Sequence, residues 1–408
     1  MMQTVLAAIC TVALVAAGPA LAQSSAQFSS VPEAVAGPSG ATGFPVGPLT
    51  VTPGINLGQG YNDNLLLTPS NRTASAFTVV NPYVKAEARS GPNKYDATLS
   101  LTNGRYWDSS DNNYTNYSLI GNSAMVFDGR TGLKLRAEFR HAIDPNGTTD
   151  RPDTKRPDQY NSYGLDGVFR YGAPGAQGRI EIDAAAFARR YTNNHSTTDV
   201  ANRNTWQAGG SFFWRVMPRT EILIQARHTD IHYTDFSPPP TLSSTENRYY
   251  IGLKWEATAA TTGTIRLGQV NKNFDSSARK DYSSFGWDAG VRWSPLTYSV
   301  FDFVTAKTPT ESTGVGDAVI SSIYTVTWNH AWNSRLRTQA LAGYRKDNFL
   351  DSSPNRVDKT SSFGAKLSYD FRRWLVFGAE YTHANRDSTL SFDEYKRNLF
   401  LFTVGATL

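Results

Sequence analysis

Charged residues in this sequence recur at every second position, and that spacing is its clearest chemical signal. Lys134, Arg136, Glu138 and Arg140 alternate with Leu133, Leu135, Ala137 and Phe139. Arg179, Glu181 and Asp183 alternate with Ile180, Ile182 and Ala184, and Arg189 continues the same parity. Arg219, Glu221 and Arg227 alternate with Ile222, Ile224 and Ala226, and Arg335 and Arg337 flank Leu336. The same reading places Arg266, Arg292 and Arg397 on a charged face. Carboxylates on that face, such as Glu87, Asp96, Asp166, Asp302, Asp370 and Glu380, are fewer. Cross-strand pairing neutralises part of such a wall and leaves an excess of cations. Arginine predominates over lysine, and its planar fork suits two-point contact with carboxylates. The chemistry these residues offer is electrostatic recognition of anions, with no bond made or broken.

Other chemistry finds little footing. The six His are scattered. His228 and His232 share a strand face, but four strand residues span about 13 Å, too far for one metal ion. Cys10 is the one cysteine, and it lies in the N-terminal apolar stretch. No catalytic residue, metal site or cofactor is expected, and the chain does not read as an enzyme. The stretches from Asp108 to Asn113 and from Arg151 to Asp158 read as solvated loop tips, with divalent-cation or lipopolysaccharide-phosphate binding as the alternative. Tyr83, Phe187, Phe213 and Tyr250 fall on the charged face, where they fill an interior or stack on sugars.

What positions these residues is a series of strands, because period-two alternation gives one apolar and one polar face. Eighteen segments fit: 50–62, 75–90, 93–107, 114–127, 131–143, 159–172, 177–192, 203–217, 219–234, 246–257, 260–274, 281–294, 297–308, 318–330, 333–347, 360–371, 373–386 and 394–408. Their joins alternate between short, as at Asp128-Gly129-Arg130 or Met217-Pro218, and long, as at 143–158 or 348–359. A sandwich has no reason to sort its loops by parity, whereas an outer-membrane barrel has short periplasmic turns and long extracellular loops. An even strand count returns both termini to the periplasm. The predicted fold is therefore all-β, a transmembrane antiparallel outer-membrane β-barrel of about eighteen strands, with the charged face lining the lumen. Aromatics at the short-turn ends (Phe127, Tyr171, Trp214, Trp255, Trp293, Trp328 and Phe371) predict one interfacial girdle. Tyr106, Tyr163, Tyr191, Tyr233, Tyr249, Tyr344, Tyr381 and Tyr395 predict a second.

Composition agrees with this reading. Charged residues are 18 % of the chain and aromatics 12 %, and a mean hydropathy of −0.41 excludes a bundle of membrane-spanning helices. Residues 1–22 read as a signal peptide with Ala20-Leu21-Ala22 as the cleavage site, although no Lys or Arg precedes the apolar stretch. Residues 23–49, rich in Pro, Gly and Ala, read as a flexible periplasmic arm or, alternatively, a plug. The barrel then occupies 50–408, in the outer membrane of a Gram-negative bacterium.

The opening strand, Val51-Thr52-Pro53-Gly54-Ile55 followed by Gly60-Tyr61-Asn62-Asp63-Asn64, resembles the putative β-barrel porin 2 family. The resemblance continues through Trp293-Ser294-Pro295 and Phe371-Arg372-Arg373-Trp374 to the last strand, where Leu408 stands in place of a terminal Phe. It implies a role in moving exopolysaccharide across the outer membrane, with no catalytic site. Three readings follow: a conduit for an anionic exopolysaccharide, a general or anion-selective diffusion porin, and a structural barrel closed by its arm and loops. The expected partners are outer-membrane lipid and lipopolysaccharide, polysaccharide or small anionic solutes, and periplasmic export components. No nucleic acid is expected.

Overall fold

The computed structural model describes residues 42–151, 155–235, 240–256, 260–312 and 314–408. The predicted signal peptide, its cleavage site and most of the arm lie outside them. The strands are β1 (Phe44–Val46), β2 (Leu49–Asn62), β3 (Ser75–Ser90), β4 (Asn93–Tyr106), β5 (Tyr114–Val126), β6 (Thr131–Asp144) and β7 (Asp158–Tyr171). Next come β8 (Gly178–Tyr191), β9 (Arg203–Met217), β10 (Thr220–Tyr233), β11 (Ser244–Trp255), β12 (Thr261–Phe274) and β13 (Tyr282–Leu296). The last are β14 (Ser299–Glu311), β15 (Ala318–Ala331), β16 (Leu336–Leu350), β17 (Val357–Arg372), β18 (Leu375–Ser388) and β19 (Tyr395–Thr407).

Each strand from β2 onward pairs antiparallel with the next, and β19 pairs with β2 from Leu399↔Asn62 to Thr407↔Gly54. Eighteen strands thus close into a barrel without free edges. Turns and loops alternate as predicted, with both barrel termini at the short-turn end. Sequence and closure meet at Gly60-Tyr61-Asn62-Asp63-Asn64. The Asn398 backbone N–H and Nδ2 both donate to Asp63, each at 2.6 Å. Fully buried Asn64 donates through Nδ2 to the carbonyls of Thr68 and Lys396. The motif therefore stitches the first barrel strand to the last. Two of the glycines in β2 have a related purpose: a Cβ at Gly54 or Gly60 would meet the inward ring of Tyr83 or Phe77 at 2.3 Å.

Side chains alternate as predicted. Phe402 (68 % exposed), Ile224 (60 %) and Leu165 (57 %) face outward, where only lipid can cover them. Phe127, Tyr171, Trp214, Trp293 and Phe371 are exposed on the same outer face at the short-turn ends, which forms the predicted girdle. Trp293, Phe301 and Trp328 stack side by side there, at centroid separations of 5.2 and 6.2 Å.

Four expectations need correction. Tyr106, Tyr191, Tyr233 and Tyr395 do not belong to the second girdle: they are buried on the inner face. Tyr163, Tyr249, Tyr344 and Tyr381 do lie on the outer face, where Tyr61, Tyr117, Trp206 and Tyr324 are also exposed. Near the strand ends both faces carry polar atoms, so alternation alone loses its reference there. Strands β16 and β17 also run further than expected, to Leu350 and from Val357, because above the membrane a strand needs no apolar side. Residues 44–46 form a strand, β1, that folds back along Leu49–Val51 and so begins before the predicted barrel start. The fourth correction concerns two of the predicted wall arginines and is given below.

Candidate functional site

The candidate site is the lumen. Ten of the twelve predicted cations occupy inward strand positions. Lys134, Arg136 and Arg140 lie on β6, Arg179 and Arg189 on β8, and Arg227 on β10. Arg266, Arg292, Arg337 and Arg397 lie on β12, β13, β16 and β19. Arg219 and Arg335 lie just outside the strands that were predicted to carry them. Both are exposed in short turns before their strands start, at Thr220 and Leu336. Each shares the parity of its strand, but the chain has already turned. Tyr83, Phe187, Phe213 and Tyr250 hold the predicted inward positions. Arg203 and Arg248 are inward cations that the sequence reading missed; Arg203 opens β9, where no preceding strand residue marks the face, and Arg248 lies within β11.

Much of the wall is internally paired. Arg136 and Arg140 share Glu138, and Arg179 bridges Glu181 and Glu221, at 2.7 Å for the latter. Arg266 meets Asp288 at 2.8 Å, Arg292 meets Asp302 at 2.7 Å, and Arg337 meets Asp370 at 2.8 Å. Buried Arg227 reaches Asp183 at 3.2 Å. The remainder is asymmetric. Among the described residues, inward Arg89, Lys94, Lys134, Arg170, Arg215, Arg189, Arg203 and Arg397 have no carboxylate within 4.0 Å. Only Asp96 and Asp166 are inward carboxylates without a cation at that distance. The unpaired charge is cationic, and five of these cations lie in the half of the lumen next to the short turns.

The extracellular half carries apolar side chains on its inner face. Inward Phe77, Val79, Tyr106, Tyr114, Leu399 and Leu401 form one buried cluster with Leu65 of the first long loop. Ile231, Tyr233, Phe274 and Leu242 form another. The loop after β6 folds onto the first of them. Gly147 (φ +76°) rests against the carbonyl of Leu66, a contact that a Cβ would close to 2.1 Å. Arg151, buried, holds Asp144 at 2.9 Å and Asp158 at 2.8 Å, with its guanidinium 4.7 Å from the centre of the Tyr191 ring. Asp150 accepts a 2.6 Å bond from Arg356, which lies in the loop after β16. These loops rise from nearly opposite sides of the ring, so this ion pair bridges the mouth. Arg356 also binds Asp358 at 2.6 Å and Asp393 at 3.1 Å. Arg151 and Asp158, expected in a solvated loop tip, are buried instead, and Arg356 was not singled out from the sequence. A loop has no periodicity to show which of its charges turn inward.

Burial and the neighbouring Asp150 and Asp358 push the Asp393 carboxyl above its usual range, against the pull of Arg356. A raised folded-state value means that folding binds a proton in this window, so the loop bridge gains stability as pH falls from neutral through that value. Proteolysis of the extracellular loops should slow on mild acidification, and Asp393→Asn should remove that dependence. Cleavage that accelerates or stays constant in the unmodified protein contradicts the assignment.

Among the described residues no group of three or more His, Cys, Asp or Glu side chains could hold a metal ion. His228 and His232 face outward.

The family described as putative beta-barrel porin 2 matches residues 37–408. Among solved structures, OpdK of Pseudomonas aeruginosa with vanillate is similar at a TM-score of 0.50 and 11 % identity, covering 88 % of this chain and 99 % of that one. OccK2 (OpdF) of Pseudomonas aeruginosa is similar at a TM-score of 0.50 and 8 % identity, covering 88 % and 98 %. At such identities the likeness shows a common fold. No curated protein matches significantly.

Proposed function

The chain belongs to the putative beta-barrel porin 2 family, and on that premise we propose that this outer-membrane channel passes small anionic solutes by diffusion. The observation that carries the proposal is the imbalance of the lumen, with eight inward cations and two inward carboxylates left unpaired among the described residues. Paired charges shape and stiffen the wall, while unpaired ones set the sign of the potential that a solute meets. The exopolysaccharide conduit implied by the resemblance gains no support. A mouth bridged by the Asp150–Arg356 pair, above apolar clusters, suits small solutes better than a polymer.

The test is the reversal potential across a planar bilayer under a KCl gradient. Its sign should report chloride preference, and the triple variant Arg89→Gln, Lys94→Gln, Lys134→Gln should move it toward the unselective value. Its magnitude should also shrink at high salt, as exposed charges are screened. A cation-signed potential, or one indifferent to the three substitutions, contradicts the proposal.

A further inference from the structure

We infer that Arg189 and Arg203 form a binding site for a small organic monocarboxylate within the lumen. This rests on the channel reading above. The two residues are directly opposed across β8 and β9, on the inner face. In an antiparallel pair, side chains so placed are immediate neighbours, and like charges there repel. A second opposed pair, Arg227 and Arg248, shows how this wall normally resolves such a conflict. Arg227 has Asp183 and Arg248 has Glu246. Arg189 and Arg203 have no carboxylate within 4.0 Å among the described residues.

The nearby acids, Asp144 toward Arg189 and Glu311 toward Arg203, make their direct bonds to other groups. Asp144 accepts from Arg151 and from the Tyr191 hydroxyl at 2.7 Å. Glu311 accepts from Lys272 and from the Tyr233 hydroxyl, both at 2.8 Å. With Asp158 also bound to Arg151, these groups together carry a single positive charge in excess, which suits a monoanion. Arg189 is already oriented, its guanidinium carbon 4.2 Å from the centre of the Tyr160 ring. Its Nε is buried with no acceptor. Opposite, Arg203 lies between Arg189 and Tyr233 in the same cross-strand row. Two inward guanidinium groups at one cross-strand position supply N–H donors of the kind that a planar carboxylate accepts in pairs. The loop after β6 closes over this region through Arg151, so a solute arriving from the mouth meets this pair early.

The test uses the full chain in detergent micelles with acetate as the probe, read by saturation-transfer NMR of its methyl signal. The unmodified protein should give saturable transfer, and Arg189→Gln/Arg203→Gln should abolish the saturable component. Arg189→Lys/Arg203→Lys keeps the charge and loses the fork, so apparent affinity should fall by about tenfold, the scale of one charge-assisted hydrogen bond. Arg219→Gln/Arg335→Gln, in short turns at the opposite end of the barrel from this pair, should bind as the unmodified protein does. Heat-modified gel mobility checks that each barrel is folded. If the glutamine pair fails to fold, the lysine pair decides the matter, and lysines that bind acetate as tightly as arginines overturn the site. Absence of saturable transfer in the unmodified protein, or its survival in a folded glutamine variant, also overturns it. Acetate binding without an anion-signed reversal potential would leave this site standing and remove the channel reading; the reverse result would do the opposite.

Discussion

Arg356→Ala should open the extracellular mouth, raising single-channel conductance several-fold while leaving the barrel assembled. Arg356 is 3 % exposed and makes ion pairs with three carboxylates, Asp150, Asp358 and Asp393. Removing one partner of a buried ion pair costs about 3–5 kcal/mol, because the remaining charge is left without compensation. Here the cheapest relief is for the loops to separate and let water reach the acids. The Asp150 contact is the one that joins loops across the ring, so its loss frees the loop after β6 from the far side. Conductance in planar bilayers and protease sensitivity of the extracellular loops should rise together. Unchanged conductance with more rapid loop cleavage would mean that the bridge braces the mouth without limiting the passage. Arg356→Lys should fall between, since an ammonium cannot fork to Asp358 while reaching Asp150.

The second large effect is on stability. Lys272 is fully buried and donates to Glu311 at 2.8 Å, and Tyr233 donates to the same carboxylate. This contact anchors the upper end of β14. Pairing of β14 with β13 stops at Lys307, two residues before Pro309, whose nitrogen has no hydrogen to donate. Beyond that point β14 is held by β15 on one side and by the Lys272–Glu311 pair on the other. Lys272→Met leaves Glu311 buried and unpaired, so the urea midpoint of the folded gel band should drop by the equivalent of about 3–5 kcal/mol. Adding Glu311→Gln should recover most of the loss, because the uncompensated charge is then gone. A double variant as weak as the single one would show that Lys272 acts through its aliphatic stem.

Most of the barrel was legible in the sequence, and the reason is the solvent. A strand between lipid and water must alternate, so Leu133 to Arg140 can be read without coordinates, as can the inward positions of Arg179, Arg266 and Arg292. Arg219 and Arg335 show the limit: parity continues past the strand ends into turns, where no cross-strand pairing fixes a face. Tyr106, Tyr191, Tyr233 and Tyr395 show another, because above the membrane a tyrosine is equally at home on either face. The motif Gly60-Tyr61-Asn62-Asp63-Asn64 was visible as a resemblance, yet its use in closing the seam depends on Asn398, more than three hundred residues away.

The sequence alone determined a barrel of about eighteen strands, its loop polarity and a charged inner face, because each follows from local alternation against two solvents. Only the tertiary structure decided which cations are left unpaired and which loops close the mouth. Arg189 meets Arg203, and Asp150 meets Arg356, through strand register and loop folding. Those are long-range packing outcomes, in which a carboxylate's nearest cation is set by the ring of strands rather than by its neighbours in the chain.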